Sequence, residues 1–279
     1  MVAHGVALGI YSKPIHMWYS REDWRAIGYN LLEPQKLFID AGDRVALERA
    51  DETSKNTLEQ LLRTQDIDPL LLVECEQYPD EDIEFERVAS KVATLINDEG
   101  VKPEEIVIVN LKSYQNKVSM LRMQQALTNV GVSSVLPGYV ESSDIFRPQG
   151  NVTISTPFRA KGNEANIVFV INSQVVSNDF TLRARNAFFV AVTRSRGWCY
   201  ISGNGSGIDE LIKEINTIKS KFPRFEFFCP SEDAVKSSRS LIRKSDKELD
   251  EIQRTMNELM KNEDLKRIFL EALEKEGKN

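Results

Sequence analysis

The chain lacks most of the groups on which small-molecule catalysis is built. It has two histidines, His4 and His16, and three cysteines, Cys75, Cys199 and Cys229, in 279 residues. The histidines have no companions at metal-ligand spacing. An odd number of widely spaced cysteines argues against a disulfide framework and fits a reducing compartment, with core filling as their expected role. No apolar run approaches the roughly 20 residues of a membrane helix, and the N-terminus has no basic flank and apolar stretch of signal type. A soluble, cytoplasmic chain with no membrane partner and no metal site is expected. The phosphate-cradling pattern G-x-x-x-x-G-K-[ST] is also missing. The stretch "GNGSG" (203–207) has no lysine and reads as a strand-to-helix turn.

What is present is a core and an uneven charge distribution. Apolar residues make up 41% of the chain, and the net charge is −6. Between 51 and 105, Asp and Glu greatly outnumber Lys and Arg. Between 147 and 196 the balance reverses, with Arg147, Arg159, Lys161, Arg183, Arg185, Arg194 and Arg196 against Glu164 and Asp179. A local basic surface matters more to an anionic ligand than the global sum.

Periodicity divides the chain into three parts. In residues 1–68, "REDWRAIGY" (21–29) has helical character and "LFIDAGDRVALER" (37–49) reads as two short strands around "DAGD". Residues 69–229 alternate apolar strands with amphipathic helices. Strands are expected within 69–77, 104–111, 132–136, 151–156, 166–173 and 198–203. Helices are expected within 79–100, 116–131, 182–194 and 208–222. This alternation implies parallel βαβ units. The continuous apolar runs imply an open α/β sheet covered by helices on both faces. Residues 230–279 read as an amphipathic helical tail, with Leu249, Ile252, Met256 and Leu259 on one stripe.

Two segments carry candidate chemistry, and both are expected at a functional edge of the sheet. "STPFRAKGNEANIVFV" (155–170) brings Arg159, Lys161, Gly162 and Glu164 into a turn before a buried strand. Gly162 permits backbone angles closed to other residues, the cations suit phosphate, and Glu164 can accept hydrogen bonds from hydroxyls. "RNAFFVAVTRSRGWCYISG" (185–203) puts Arg194 at the end of an apolar helix. There it either caps the helix or presents a rigid, permanently charged group.

These segments resemble motifs V and VI of superfamily 1 helicases of the UvrD/Rep type. "EEIVIVNLKSYQNKVSMLRMQQAL" (104–127) resembles their motif IVa. The resemblance covers residues 100 to 203 and implies the second RecA-like (2A) domain of an ATP-driven DNA helicase. By resemblance, Arg194 is the arginine finger, and Gly162, Lys161 and Glu164 belong to the nucleotide pocket. Thr156, Phe158, Arg159, Gln115 and Lys117 would face nucleic acid. Phe158 stands where many members have His, and Asn163 replaces the usual Leu. ATP and Mg2+ would be held mainly by a first RecA-like domain with a P-loop, in cis or in trans. The chain is accordingly expected to be a C-terminal fragment or one subunit of a split enzyme, inactive alone. The expected partner is single-stranded DNA, with RNA left open. The alternative is a catalytically inert nucleic-acid-binding or protein-interaction module on the same fold.

Overall fold

The structure is a computed structural model that describes residues 1–50, 58, 62, 64–113, 116–139, 145–178 and 182–238. Most of the helical tail expected over 230–279 therefore lies outside the described residues; residues 232–238 are helical.

The expected open parallel sheet is present. It has six strands: β3 (Val73–Tyr78), β4 (Ile106–Asn110), β5 (Ser134–Val135), β6 (Val152–Ser155), β7 (Ala165–Ile171) and β8 (Ser195–Asn204), in the spatial order β3-β8-β7-β4-β6-β5. Every neighbouring pair is parallel. Alternate side chains enter two cores. On one face, Ile106, Ile108, Ile154, Ile167 and Phe169 pack with Phe85, Val88 and Val92 of α3 (Glu81–Asn97) and with Met120, Met123 and Leu127 of α4 (Asn116–Asn129). On the other, Val107, Val109, Val168, Val170 and Ile201 pack with Val176 of α6 (Val175–Asn178), with Phe188 of α7 (Leu182–Val192) and with Ile208, Leu211 and Ile215 of α8 (Gly207–Ser220). Strands buried on both faces need an apolar residue at every position, hence their unbroken apolar runs.

The N-terminal residues join this second core. Helix α1 (Val2–Leu8) contributes Val6 and Leu8, and α2 (Arg21–Ala26) contributes Trp24. Ser20 caps α2 by accepting from the Asp23 amide. Strands β1 (Tyr29–Glu33), β2 (Arg44–Arg49) and β9 (Arg224–Phe228) form a separate antiparallel sheet, with Leu31 opposite Leu47 and Leu47 opposite Phe225. Its inner face is apolar, while Arg44–Glu226 and Arg224–Glu48 pair across its outer face.

Of the two strands expected in 37–49, only the second forms. Lys36 Nζ bonds both Asp40 and Asp43 at 2.6 Å, folding the first half into a turn. Phe38 keeps a single bridge to Ser20. Strands β1 and β9 were not expected from the sequence. Both are short; β1 pairs with β2 across a separation of 13 to 20 residues, and β9 pairs with β2 across about 180.

Arg185, which stands out in the sequence as part of a basic cluster, is a core residue. It is 3% exposed and makes a bidentate pair with Glu214, at 3.0 and 3.1 Å. It also donates to Ser12 Oγ at 3.0 Å and to the Val6 carbonyl. The charge is spent on tying α1 and its following turn to α7 and α8.

Candidate functional site

The two sequence segments meet at the amino edge of the parallel sheet, and the first also reaches its carboxyl edge. Thr156 follows β6 at the carboxyl edge and takes the N-cap position of the short helix α5 (Pro157–Ala160). Residues 161–164 then lead into β7 at the amino edge. Ser155 is level with Val109, and Val109 with Val170, so Thr156 sits level with Ile171. Ala165 lies six positions earlier on β7. At about 3.3 Å per residue the two ends are ~20 Å apart along the strands. A chain of nine residues crosses the sheet and touches both edges.

At the amino edge, Gly162 has φ 88°, and a Cβ there would meet nothing within 4 Å. The turn requires glycine for its backbone angle and not for close packing. Lys161 is exposed. Glu164 is exposed and pairs with Arg196 Nε at 2.9 Å. Arg194 lies in the turn after α7, and its carbonyl accepts from the Ala165 amide at 2.9 Å, so its backbone adjoins Glu164. Its half-buried side chain donates from Nε to the Val190 carbonyl at 3.0 Å and approaches Thr193 Oγ1 at 3.3 Å. In this state Arg194 caps its own helix, sharing the Val190 carbonyl of the last turn with Thr193 Oγ1 at 3.1 Å.

At the carboxyl edge, a cleft of about 140 Å³ opens beyond β4 and β6. Among the described residues, Asn110, Lys112, Tyr139, Thr156, Phe158 and Arg183 line it with no carboxylate. Phe158 is 57% exposed. Arg159 does not point freely at a ligand: Nη1 donates to the Pro137 carbonyl at 3.1 Å, and the guanidinium lies 4.5 Å from the centre of the Tyr139 ring. Lys117 is exposed in the first turn of α4 but does not line the cleft. Gln115 lies outside the described residues. The structure thus brings Thr156 and Phe158 together and adds Lys112, Tyr139 and Arg183, which sequence reasoning missed. A polar residue at the end of an apolar strand was the available signal, as Asn110 shows.

Behind the cleft lies a polar network joining the ends of β4, β7 and β8. Glu81 accepts from Lys112 Nζ at 3.2 Å, Ser119 Oγ at 2.8 Å and Asn172 Nδ2 at 3.0 Å. Burial pushes the Glu81 carboxyl up. The hydrogen bonds from Ser119 and Lys112, with the lysine's charge, outweigh burial and hold it below the usual range. Glu84 is fully buried and accepts from the Asn172 amide, Ser202 Oγ and Asn204 Nδ2, at 2.9, 2.6 and 2.7 Å. For Glu84, burial wins and its pKa is raised. Asn172, at φ 58°, also donates to Asn110 Oδ1 at 3.1 Å. Lys112 is therefore set at the cleft by a braced carboxylate, not by its own flexible stem.

Residues 151–202 match the family model of the UvrD-like helicase C-terminal domain. The match runs from β6 into β8 and contains Thr156, Gly162, Glu164 and Arg194. Similar solved structures include the C-terminal domain of a possible DNA helicase from Lactobacillus plantarum WCFS1, at 19% identity over 54% of this chain and 88% of that one, with a TM-score of 0.39. An arterivirus nonstructural protein 10 helicase solved with DNA is 15% identical over 49% of this chain and 30% of its own, with a TM-score of 0.32. Another structure of arterivirus nonstructural protein 10 is 14% identical over 73% of this chain and 52% of its own, with a TM-score of 0.33. The matched part thus spans 30% and 52% of the two arterivirus chains. No curated protein sequence matches it.

Proposed function

We propose that the chain, with its UvrD-like helicase C-terminal segment over 151–202, is the second half of an ATP-driven helicase and grips single-stranded DNA. The observation that carries this reading is the nine-residue crossing of the sheet. It links a cationic, aromatic cleft at one edge to a Gly-Asn-Glu turn and an arginine at the other. Closure of a nucleotide at the amino edge is then mechanically connected to the strand held at the carboxyl edge.

In this reading a P-loop unit, in cis or in trans, holds ATP and Mg2+. The described residues offer no group of three or more His, Cys, Asp or Glu placed to hold a metal. The amino edge of this chain supplies Arg194 for the γ-phosphoryl group and Glu164 for the ribose, with Lys161 and Gly162 in the same turn. Arg194 must first release the Val190 carbonyl, and Glu164 must release Arg196. Both exchanges cost little: a hydrogen bond from a charged donor is worth about 1.5–3 kcal/mol net and is regained at the phosphate, and an exposed ion pair is worth about 0–1 kcal/mol. Turning the guanidinium to a phosphate on closure makes hydrolysis depend on closure. Thr156, Phe158, Lys112 and Arg183 hold the strand. Lys117 extends the grip along α4, Gln115 adds a polar contact by the same resemblance, and Arg159 acts through Tyr139.

The test is fluorescence anisotropy with a labelled oligothymidylate at low salt, beside an ATPase assay of the same preparation. The chain is expected to bind single strands with an affinity that falls steeply with salt, and to hydrolyse no ATP alone. Absence of binding at 20 mM salt would refute the proposal. Binding with no stimulation of any P-loop unit's ATPase would favour an inert binding module on the same fold.

A further inference from the structure

The parallel sheet ends at β5 on one side and at β3 on the other, and these two flanks differ. Strand β5 has two residues, too few to template a neighbour, whereas β3 has six and pairs only with β8 among the described strands. Within a sheet, the N–H and C=O groups of successive residues point to alternate sides of the strand. The Tyr78 carbonyl accepts from the Gly205 amide, just beyond β8, so the backbone groups of Glu74, Glu76 and Tyr78 face β8. Those of Val73, Cys75 and Gln77 therefore face outward. Lys219 Nζ donates to the Val73 carbonyl at 2.7 Å and closes the start of this flank. Past that point no described residue bonds the amides and carbonyls of Cys75 and Gln77. An open strand of this kind is a template for a further strand.

The side chains beside it select the occupant. Glu74 and Glu76 lie on the face that α3 covers. There Lys91 Nζ bonds Glu74 at 2.6 Å, lies 3.9 Å from Glu76 and sits 4.0 Å from the centre of the Tyr200 ring. That ammonium shows what the face accepts: a cation against an aromatic ring, between carboxylates. One lysine does not use the carboxylates up, since their side chains remain 43% and 48% exposed. Arg87 lines the same hollow. Even so, burial first and then Glu74, Glu99 and Glu76 push the Tyr200 hydroxyl up to about 12, so carboxylates dominate the local field. A second copy of this chain does not match. Two-fold pairing of two β3 strands would set Glu74 or Glu76 of one copy against the same glutamates of the other, and like charges directly opposite are destabilising. An antiparallel strand with cations opposite Glu74 and Glu76 does match. Those are the non-hydrogen-bonded positions of the new pair, where side chains come closest.

We infer that the open flank of β3 is a docking site for an extended segment of a partner protein that carries lysine or arginine at every second position. The segment adds a strand to the sheet, bonded to the backbone of Cys75 and Gln77, with its cations on Glu74 and Glu76. The site is separate from the nucleic-acid reading above, because it uses no residue of the carboxyl-edge cleft or of the amino-edge turn.

The experiment titrates the full chain with two short labelled peptides, read by anisotropy at low salt. One alternates lysine with valine. The other alternates lysine with proline, which keeps the charge but removes the N–H groups that would reach the Cys75 and Gln77 carbonyls. The lysine–valine peptide is expected to bind, and the lysine–proline peptide to bind about tenfold more weakly or worse. Glu74→Gln/Glu76→Gln should weaken the first peptide about 2- to 30-fold, the effect of two exposed ion pairs. Gln77→Pro removes only an outward amide and puts a ring on the open flank, which such a strand tolerates. It should weaken the first peptide about tenfold or more. If Gln77→Pro does not fold, judged by circular dichroism, the glutamine variant and the proline peptide decide the matter. Infrared spectra of a lysine–valine peptide labelled with 13C at its carbonyls should show a β-sheet band on binding, which charge attraction alone would not produce. Equal affinity for the two peptides, an unchanged Kd in folded Gln77→Pro, or no binding of the lysine–valine peptide overturns the inference. Self-association of the wild-type chain that Gln77→Pro abolishes would assign the flank to a second copy and overturn it as well.

Discussion

Glu214→Ala is the sharpest perturbation of the fold, because it strands a buried charge. Arg185 and Glu214 are 3% and 6% exposed, and the pair is bidentate at 3.0 and 3.1 Å. Ser12 Oγ donates to Glu214 at 2.9 Å and accepts from Arg185 at 3.0 Å. Removing the carboxylate leaves the guanidinium with the Val6 carbonyl and a hydroxyl that has lost its own acceptor. Breaking a buried pair from one side costs about 3–5 kcal/mol. At about 2–4 °C per kcal/mol for a domain of this size, the expected fall in Tm is roughly 6–20 °C. The double substitution Arg185→Met/Glu214→Leu fills similar volume without charge and is expected to recover most of that loss. The assay is urea unfolding followed by tryptophan fluorescence, since buried Trp24 reports on the same core. A cost below about 1 kcal/mol for Glu214→Ala, or a double variant no better than the single, would show that the pair is not what holds α1 to the sheet.

Three further outcomes follow from the same geometry. His4 is half-buried, and its pKa is lowered to about 4, by burial first and then by the chain's amino group and Arg49. The unfolded chain therefore binds this proton more readily. Stability should be complete above pH 6.5 and fall by about 1–2 kcal/mol by pH 4.5, discounted for the group's partial exposure. His4→Gln melts should flatten that slope, and an unchanged slope would contradict it. Asn172→Ala loses both a left-handed backbone preference and the bonds to Glu81 and Asn110, for an expected cost of about 2–4 kcal/mol. Asn172→Gly should restore only the backbone part, and equal stability of the two variants would assign the whole effect to the lost hydrogen bonds. Phe158→Ala should weaken single-strand binding about 5- to 150-fold without moving Tm, because the ring is already 57% exposed.

The parallel sheet was legible because its central strands β4 and β7 are nearly unbroken apolar runs and the long helices carry periodic stripes. Residues 106–110 and 165–171 could be placed from composition alone. The small antiparallel sheet was not legible. Residues 224–228 alternate weakly, and only their partner, residues 44–48, makes them a strand. At the amino edge Gly162 and Glu164 were readable from local chain order, whereas Arg194, thirty residues on, adjoins them through its backbone carbonyl on the Ala165 amide. Tyr139 was invisible because its significance lies in Arg159 and Asn116, each about twenty residues away. The Glu81–Glu84 network was hidden by an acidic first helical turn that reads equally well as dipole compensation. Arg185 shows the converse: a cation that looked like part of a basic face belongs to the interior.

The central claim is that Arg194 leaves its own helix to meet a phosphate held by another unit. Its most direct test is steady-state ATPase of the assembly containing the P-loop unit, saturated with single-stranded DNA, with wild-type chain and with Arg194→Ala. The account predicts a fall in kcat of about three to five orders of magnitude with DNA Kd unchanged. Turnover within tenfold of the wild type would leave Arg194 as a helix cap and nothing more, and would contradict the account.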